Sequence, residues 1–507
     1  MMSTSRLRWG LGIVCVFGAG AVMLVADKAG KSTSSDTDAS RMVVTSARAS
    51  DSAASTSVES AATGAARGEV SGSDSASNSA LHPNDGSILG TNLTGPSDWS
   101  PEGRDVITVS PRVQLRLEIT ATDPADYIRN IRVIMPGGGA PEEPYSWWID
   151  AKDCPHGSFK TFEQTCAKQV FHPAFLASIK NYRALRFMDW MGTNGSSQQE
   201  FEGRPDLADA RWRGRGIPLE IMCSLANLLH ADPWFNVPHL ADDDYVSQMA
   251  ELIRRCLAPG LTPHIEYSNE VWNTAFPQYK YAEAQGLQLG LTTNAFGAAL
   301  QFYSQRSVQV FNVFEQVYSG HTTLVRVMAA QAASSWTSEQ VLKFNKAFEH
   351  TDALAIAPYF GRAVGPDDQG AVQAMSIDQL FDYMRNDPGG LAMSISWMKQ
   401  QAAVAKKFGV RLVAYEGGQH LVGYQGVENN NTINALFDAF NRDPRIGALY
   451  ADYLTAWKQA GGGLFMHFVN TSNFGKWGRW GAEEYLGQPL DQAPKFAALQ
   501  QFIEANR

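Results

Sequence analysis

The amino-acid sequence predicts a (β/α)8 TIM barrel, an α/β fold, with a small antiparallel β element inserted after the first strand. Short apolar runs alternate with amphipathic segments at helical spacing, and this alternation favours a parallel sheet. Eight runs of this kind fall between residues 87 and 470. Eight strand–helix units fit a closed barrel better than an open sheet.

The candidate strands are the apolar runs themselves, at 87–93, 184–190, 233–238, 263–270, 323–330, 353–360, 411–418 and 462–470. Between them, apolar residues recur at helical spacing in segments such as 243–256, 293–316, 394–408 and 443–459. In a barrel, the carboxyl ends of the strands and the loops that follow them form one face. We therefore expect the functional residues just after these runs.

One region departs from this alternation of strand and helix. In 113–119 and again in 131–135, apolar residues alternate with polar ones, and the turn sequence "DPAD" at 123–126 separates the two segments. A period of two on both sides of a turn is typical of an antiparallel hairpin. We predict that this hairpin belongs to a β insertion at 106–136.

The first 80 residues are predicted to lie outside the barrel. An apolar run within 9–26 follows two arginines, as in a secretory signal. Its length lies between that of a signal core and the roughly 20 apolar residues of a spanning helix, so 1–30 is a signal peptide or a signal anchor. The segment 31–80, rich in Ser, Ala and Thr, is predicted to be a disordered linker, and 81–507 one catalytic domain. We expect a secreted or extracytoplasmic protein, with a membrane tether through 9–26 as the alternative.

The composition restricts the class of partner. With 44% hydrophobic and 11% aromatic residues, the chain can fill a globular core. A formal net charge of -9 argues against nucleic acid as the main partner, because phosphate binding requires clustered Lys and Arg. An uncharged substrate such as a carbohydrate fits this balance better.

Cysteine usage agrees with export. Four cysteines follow the leader and permit three connectivities, of which we predict the pairs Cys154–Cys166 and Cys223–Cys256. A zinc site has less support, because the sequence contains no close CxxC or HxxxH pair. No metal or cofactor is predicted.

Two carboxylates follow predicted strands at matching positions. Glu270 ends the fourth strand in "HIEYSNEVWN" (264–273), and Glu416 ends the seventh in "RLVAYEGGQH" (411–420). Both should therefore lie at the same mouth of the barrel, where two carboxylates can divide the roles of acid and nucleophile. Glu266 is the internal competitor, since strand parity places it on the same face as Glu270, although deeper in the barrel.

Several motifs resemble those of a known family. Two motifs resemble segments of the retaining glycoside hydrolases of clan A. "SNE" after the fourth strand is similar to their acid/base segment, and "YEGG" after the seventh is similar to their nucleophile segment. A wider resemblance, to secreted, glycosidase-like or cellulose-associated barrel proteins, covers most of 86–500. It depends on the motifs "GTNLTGPSDWS", "LRFMDWMGTN", "DPWFNVPH" and "IEYSNEVWN". The sequence departs from that group where "DWSPEGRDVITV" runs quickly into a shortened β element.

The resemblance implies a role for each matching residue. Glu270 would be the general acid/base and Glu416 the nucleophile, with the two carboxyl groups about 5–5.5 Å apart. Asn269 would form a hydrogen bond with the sugar 2-hydroxyl. Arg186 and Tyr359 would contact the nucleophile, and His239 would contact the sugar. The cation of Arg186 would keep the nucleophile ionised. A purely structural ion pair is the alternative for Arg186, and simple packing is the alternative for His239.

Aromatic side chains offer a second means of sugar recognition. An indole face stacks on the apolar face of a pyranose, and four tryptophans lie in or after strand-end segments, namely Trp190, Trp272, Trp477 and Trp480. The last two belong to the Gly-rich segment "NFGKWGRWG", where exposed tryptophans would need a functional reason. Core packing is the alternative for each tryptophan.

These residues lead to one hypothesis and two alternatives. We expect a retaining glycoside hydrolase that cleaves a β-linked polysaccharide or oligosaccharide, such as a β-glucan or a mannan, by double displacement. A non-catalytic carbohydrate-binding barrel protein of the cell surface is the alternative, although two close like charges have no evident benefit in a binder. A metal-dependent hydrolase has little support, because the sequence lacks a dense cluster of His and Asp residues.

Overall fold

The structure of the protein is a computed structural model that contains two units. It describes residues 23–27, 41–47, 90–93, 114–121, 129–134 and 136–506, apart from 167, 210–211, 213, 319–323 and 388. The described strands before residue 135 belong to the smaller unit, together with Thr161–Lys168. The larger unit contains Gly139–Lys160 and Gln169–Arg507.

The smaller unit pairs its described strands in antiparallel fashion. These strands are β1 Met23–Asp27, β2 Arg41–Ala47, β3 Gly90–Leu93, β4 Gln114–Ala121 and β5 Arg129–Ile134. β2 lies between β3 and β4, whereas β1 pairs with β5. β1 and β2 fall within the segments predicted as leader and linker, and the domain limits at 30 and 80 stay predictions. Short elements come next along the chain, namely β6 Gly138–Ala140, β7 Glu143–Trp148, β8 Lys160–Thr161, α1 Phe162–Thr165 and α2 Pro173–Ile179.

These pairings correct two expectations from the sequence. The sequence predicts the first barrel strand at 87–93, but β3, which lies in that range, pairs with β2 and is absent from the parallel sheet. β4 and β5 were expected to form a hairpin, but they pair with β2 and β1 instead of with each other. Alternating polarity identifies a strand, yet it does not select the neighbour with which the strand pairs.

A curled sheet of six parallel strands forms the centre of the larger unit. In spatial order its strands are β9 Ala184–Arg186, β10 Asp232–Val237, β11 His264–Tyr267, β12 Val325–Ala329, β13 Ala353–Ile356 and β15 Arg411–Ala414. Each neighbouring pair is parallel. A separate parallel pair joins β14 Ala363–Val364 to β16 Val422–Gly423. Six of the predicted strands thus lie in one sheet, as an α/β barrel requires.

The predicted last strand lies beside β15 without forming a full ladder. The amide of Ala414 donates to the carbonyl of Leu464 at 2.9 Å, and the amide of Met466 donates to the carbonyl of Ala414 at 3.0 Å. Phe465 forms a parallel bridge with Ala414. Within the described residues the sheet is therefore a partial barrel rather than the closed eight-stranded barrel predicted from the sequence.

Helices connect the strands and cover the outside of the curled sheet. They are α3 Leu219–Leu229, α4 Asp243–Cys256, α5 Pro277–Gln288, α6 Ala295–Tyr318, α7 Ser335–Lys343, α8 Pro366–Gln373, α9 Ile377–Asn386, α10 Leu391–Phe408, α11 Asn431–Arg442, α12 Arg445–Gln459 and α13 Pro494–Ala505. The four helical segments predicted from apolar spacing correspond to α4, α6, α10 and α12. Of the helices described, none combines the length and the apolar character needed to cross a membrane.

The local sequence explains where α4 begins and ends. The Asp242 side chain accepts a hydrogen bond from the amide of Tyr245 at 2.7 Å and so caps the first turn. Acidic residues occupy this turn and basic residues the last one, which complements the helix dipole. One face of α4 is buried, through Val246, Met249, Ala250 and Ile253.

Two apolar layers lie on either side of the curled sheet. The outer layer, between strands and helices, includes Phe235 of β10 and Ile265 of β11. The inner layer contains Trp234 and Tyr415 among smaller Ala and Val side chains. Since successive side chains of a strand point to opposite faces, the residues that alternate with the outer layer face the interior of the barrel. This parity determines which side chains can build a site there.

One of the two predicted disulfides is confirmed. Cys223 of α3 is bonded to Cys256 at the end of α4, with their Cα atoms 5.8 Å apart. The predicted bond between Cys154 and Cys166 is not formed. Each of these thiols instead donates to a backbone carbonyl of its own turn. Spacing along the sequence could not distinguish a loop closed by a disulfide from two thiols that face local carbonyls.

Removal of the disulfide should destabilise the larger unit. The bond closes a sequence separation of 33 residues, and a loop of that length corresponds to about 3–4 kcal/mol of unfolding free energy. We expect Cys223→Ala/Cys256→Ala to lose that amount in urea denaturation under oxidising conditions. Cys154→Ala is the matched control and should keep the wild-type midpoint. Equal midpoints for the double variant and the wild type would contradict the expectation.

Candidate active site

A buried arginine connects a carboxylate of β11, Glu266, with the carboxylate that follows β15, Glu416. Arg186, the last residue of β9, donates from Nη1 to Glu416 Oε1 at 2.8 Å and from Nη2 to Asn269 Oδ1 at 2.9 Å. Its Nη2 and Nε also donate to Glu266 Oε2, at 2.9 and 3.3 Å. Burial opposes the charge, but the carboxylates of Glu266 and Glu416 raise the pKa of Arg186 above its ordinary value. One cation is therefore shared by two buried carboxylates.

Glu266 is fully buried and holds this arginine in place. Its Oε2 also accepts hydrogen bonds from Trp234 Nε1 at 2.9 Å and from Asn236 Nδ2 at 2.8 Å. Both donors lie on β10, where Asn236 is paired in register with Glu266. With its Oε2 occupied by donors and its side chain inaccessible to solvent, Glu266 is placed to orient Arg186 and not to meet a substrate.

The backbone turns sharply between β11 and Glu270. Ser268 and Glu270 have φ angles of 60° and 45°, in the left-handed region that residues other than glycine seldom adopt. Side chains hold this turn: Asn236 Nδ2 donates to the Ser268 carbonyl at 2.7 Å, and Gln278 Nε2 donates to the Asn269 carbonyl at 2.8 Å. Strained backbone that is fixed by its surroundings is concentrated at functional sites.

Two neutral side chains hold Glu270. The Tyr415 hydroxyl donates to Oε1 at 2.9 Å, and Asn273 Nδ2 donates to Oε2 at 2.9 Å. Burial raises the pKa of the Glu270 carboxyl above its usual range, and the two hydrogen bonds and the charge of Arg186 offset part of that rise. A carboxyl group with a raised pKa can serve as a general acid near neutral pH.

Glu416 is held by a cation and a phenol. Arg186 donates to its Oε1, and the Tyr359 hydroxyl donates to its Oε2 at 3.0 Å. Burial raises the pKa of Glu416 to about 7, Arg186 acts in the opposite direction, and the charge of Glu270 adds to the rise. The sequence prediction considered only the lowering by a nearby cation, whereas the structure shows that burial outweighs it.

The Glu270 and Glu416 carboxyls titrate as a pair. Because the charge of one raises the pKa of the other, their protons belong to the pair and not to either group alone. Arg186 donates directly to Glu416, whereas both donors to Glu270 are neutral. When the pair carries one charge, that charge is therefore favoured on Glu416 and the proton on Glu270. Such a pair offers one nucleophilic carboxylate and one carboxylic acid.

The glycine after Glu416 is required by close packing. A Cβ atom at Gly417 would lie 2.3 Å from Phe465 Cζ and 2.7 Å from the Tyr453 hydroxyl. Any larger residue would have to displace one of these side chains or the turn that carries Glu416. The motif "YEGG" therefore has a steric basis at this position.

The predicted sugar contact Asn269 belongs to the same network. Its side chain is buried, and its Oδ1 accepts from Arg186. Its Nδ2 donates to Asn194 Oδ1 at 3.0 Å, and the same oxygen accepts from Gln278 Nε2 at 2.7 Å. The structure thus brings Arg186, Asn269 and Tyr359 together with both predicted catalytic carboxyls.

Three other predicted sugar contacts lie in packed surroundings. His239 is buried, and burial lowers the pKa of its imidazole. Trp190 packs against Phe175 and Phe187, with ring centroids 6.1 and 5.5 Å apart. Trp272 is partly buried against the outer core. The structure gives each of them packing contacts, and their part in sugar recognition stays a prediction.

The two tryptophans of the Gly-rich loop differ in their surroundings. The Trp480 ring contacts His420 and Phe468, with centroids 6.0 and 5.9 Å apart. Both of these rings also contact Tyr359, the phenol that donates to the predicted nucleophile. Trp477 is 65% exposed. Trp480 thus adjoins the site through two aromatic neighbours, whereas the exposed Trp477 ring carries the Lys476 ammonium 4.8 Å from its centre.

Two side chains fix the loop that carries these tryptophans. Gln419 Nε2 and Lys495 Nζ both donate to the carbonyl of Arg479, at 2.7 and 2.5 Å. The buried Arg479 side chain donates in turn to Asp438 Oδ1 at 2.6 Å. Because Gln419 follows Glu416 by three residues, the loop is bonded to the segment that carries the predicted nucleophile.

The sequence prediction did not include four side chains that hold the carboxyls, namely Tyr415, Asn273, Trp234 and Asn236. Tyr415 directly precedes Glu416, and Asn273 follows Glu270 by three residues, so proximity in sequence was an available signal. Trp234 could be found only by recognising that its side chain points inward from β10, and that requires knowledge of where the strand begins and ends.

The described ranges contain no group of side chains suited to a metal ion. No three His, Cys, Asp or Glu residues gather there as metal ligands would. The acidic side chains at the centre of the site, Glu266 and Glu416, are both bonded to the guanidinium of Arg186. A single side chain of the protein therefore offsets part of the charge of both carboxylates.

Comparison with known proteins does not assign the chain to a family. No family model matches it, and no curated protein matches it. A 4-O-α-L-rhamnosyl-β-D-glucuronidase from Fusarium oxysporum 12S is 14% identical over 64% of this chain and 59% of its own, with a TM-score of 0.36. A GH5-4 broad specificity endoglucanase from Clostridium longisporum is 10% identical over 66% of this chain and 99% of its own, with a TM-score of 0.36. The catalytic domain of the Bacillus sp. JAMB-750 GH26 endo-β-1,4-mannanase is 10% identical over 52% and 69%, with a TM-score of 0.24.

Proposed function

We propose that the protein is a retaining glycoside hydrolase in which Glu416 is the nucleophile and Glu270 the general acid/base. One observation carries the proposal: two coupled carboxyls follow β11 and β15, and a buried arginine donates to Glu416 while neutral groups donate to Glu270. Raised pKa values that arise from burial and a specific partner are concentrated at catalytic sites.

The two carboxyls would act in two displacements. First, the Glu416 carboxylate attacks the anomeric carbon while Glu270 gives its proton to the departing glycosidic oxygen, so that an ester bond forms as the glycosidic bond breaks. Next, the Glu270 carboxylate takes a proton from water, whose oxygen attacks the anomeric carbon and releases Glu416. Each cycle restores the charge on Glu416 and the proton on Glu270.

We also propose a β-linked polysaccharide or oligosaccharide, such as a β-glucan or a mannan, as the substrate. The exposed indole of Trp477 and the partly buried indole of Trp480 are suited to the apolar faces of sugar rings. Export from the cytoplasm is part of the proposal, since the Cys223–Cys256 disulfide is typical of an oxidising compartment.

Covalent trapping tests the proposed function. The wild type is incubated with 2-deoxy-2-fluoro aryl β-glycosides of glucose, mannose and xylose, and the labelled peptide is identified by mass spectrometry. We expect label on Glu416 from at least one sugar, together with release of a β-configured product from the matching substrate. Sugar binding without label or turnover would favour the non-catalytic binding protein instead.

Removal of the acid/base should depend on the leaving group. Glu270→Ala is expected to reduce kcat/KM by about 10²–10⁴-fold for poor leaving groups, because these need a proton as the bond breaks. The loss should be much smaller for a dinitrophenyl glycoside, and azide should restore turnover by attacking the glycosyl-enzyme. Glu251→Ala, at an exposed position of α4, is the matched control. An equal loss for all leaving groups would remove Glu270 from the acid role.

A further inference from the structure

We propose that Tyr415 is a positioning residue that holds the acid/base Glu270 and couples its placement to the strand end that carries the nucleophile. This inference rests on the proposed function. Tyr415 directly precedes Glu416, yet its hydroxyl donates not to Glu416 but to Glu270 Oε1, at 2.9 Å. The dipeptide Tyr415-Glu416 therefore supplies the proposed nucleophile and also a hydrogen-bond donor to the proposed acid/base.

The position of Tyr415 is fixed on several sides. The side chain is fully buried and belongs to the inner layer of the barrel. Its amide donates to the carbonyl of Ile356 on β13 at 3.0 Å, and the Arg186 guanidinium lies 5.0 Å from the centre of its ring. A phenol held in this way can orient Glu270, because its own side chain has little freedom to follow the carboxyl.

The two tyrosines of the site divide their donors between the two carboxyls. Tyr359 donates to Glu416, which also receives Arg186, whereas Tyr415 donates to Glu270. Tyr415 is buried and Tyr359 partly buried, and burial raises the pKa of each well above its ordinary value, so both remain protonated donors near neutral pH. The hydroxyls of Tyr359 and Tyr415 thus each hold one carboxyl of the pair that shares one charge and one proton.

The hydrogen bond from Tyr415 favours the ionised form of Glu270. The other groups that act on Glu270 are Asn273 and Arg186, which also favour the ionised form, and the carboxylates of Glu266 and Glu416, which oppose it. Without the phenol, burial and the two carboxylates would raise the pKa of Glu270 further. Protonated Glu270 serves the first displacement, but the second needs it ionised.

Tyr415→Phe is the direct test, because it removes the hydroxyl and keeps the ring. We expect the alkaline limb of the kcat/KM profile to move up by about one pH unit, since a hydrogen bond to a charged group has that order of strength. At neutral pH, breakdown of the glycosyl-enzyme in single-turnover experiments should slow by about tenfold. Tyr359→Phe, which removes the donor to Glu416, should instead move the acid limb to higher pH.

A matched control separates this role from a loss of packing. Tyr267 is a buried tyrosine of β11 whose hydroxyl donates to the backbone carbonyl of His239 at 2.8 Å. Tyr267→Phe deletes the same atom at the end of β11, the strand that precedes Glu270. We expect it to lower the melting temperature while both limbs of the pH profile keep their wild-type positions.

A second readout does not depend on turnover. In protein labelled with 13C at the glutamate carboxyl carbon, the Glu270 signal is assigned by its loss in Glu270→Gln, and its titration is compared between wild type and Tyr415→Phe. An upward shift supports the inference, whereas unchanged titration and unchanged pH limbs overturn it. If the wild type titrates as expected but forms no glycosyl-enzyme with any sugar, the proposed function fails while the role of Tyr415 in holding Glu270 is still decided.

Discussion

Glu416→Gln is expected to lower kcat by about 10³-fold or more on every glycoside that the wild type cleaves. An amide has no charge with which to displace the aglycone, so the glycosyl-enzyme cannot form. Glutamine nevertheless keeps the size of the side chain and an oxygen that can accept from Arg186 or Tyr359. Substrate affinity, measured by calorimetry with an oligosaccharide, should therefore survive the loss of turnover.

The same substitution should change how stability depends on pH. Burial raises the pKa of Glu416 from 4.5 to about 7, and because this carboxyl titrates together with Glu270, the folded pair holds a proton that the unfolded chain has already released. The wild type consequently loses stability from this group as the pH rises from 4.5 through 7. Glutamine does not titrate, so the melting temperature of the variant relative to the wild type should increase between pH 5 and pH 8.

Two outcomes would count against Glu416 as the nucleophile. Full turnover in Glu416→Gln would exclude it directly, with Glu251→Gln as the control for effects of an exposed glutamate. A melting-temperature difference that stays constant from pH 5 to pH 8 would show that the Glu416 carboxyl titrates as it does in the unfolded chain. The site would then lack the buried pair on which the double displacement depends.

Arg186→Met should be the most destabilising single change in the site. It leaves Glu266 and Glu416 buried without an opposing cation, and breaking a buried ion pair from one side costs about 3–5 kcal/mol. Methionine retains an unbranched apolar chain that can occupy most of the same space. Unfolding in urea at pH 7 should show the full loss, and the loss should shrink at lower pH as the Glu416 carboxyl becomes protonated.

Two controls define the origin of that loss. In the Arg186→Met background, Glu266→Gln removes one of the stranded charges and should recover part of the stability. Arg385→Met breaks an ion pair with Asp452 in which both side chains are about half exposed, and it should cost less than about 1 kcal/mol. If Arg186→Met were as mild as Arg385→Met, Arg186 would not be balancing buried charge.

The strands that carry the site could be predicted because their signal is local. Runs of apolar residues bounded by polar ones identified the segments that become β10, β11 and β15, and the acidic residues just after them followed from the rule that barrel sites lie at strand ends. Helix α4 was predicted with its observed limits, since its cap and its buried face both lie within the segment.

Features that depend on partners distant in sequence were not predictable in the same way. The pairing of β3 with β2 joins residues near 90 to residues near 43, and no local pattern specifies that choice. The balance at Glu416 likewise requires its burial and the position of Arg186, which lies 230 residues away along the chain. The sequence identified the charged groups, but only their packing shows that desolvation exceeds attraction in setting the pKa of Glu416.

The bonds from Gln419 and Lys495 to the carbonyl of Arg479 have a consequence for protein engineering. Exchange of the tryptophan-bearing loop for one that lacks this carbonyl would leave a buried amine and a buried amide without this acceptor. A transplanted loop would have to bring its own acceptor at that point, or Lys495 would have to be replaced together with it. Variation by single side-chain exchange at Trp477 avoids this constraint, because its exposed indole takes no part in the anchoring bonds.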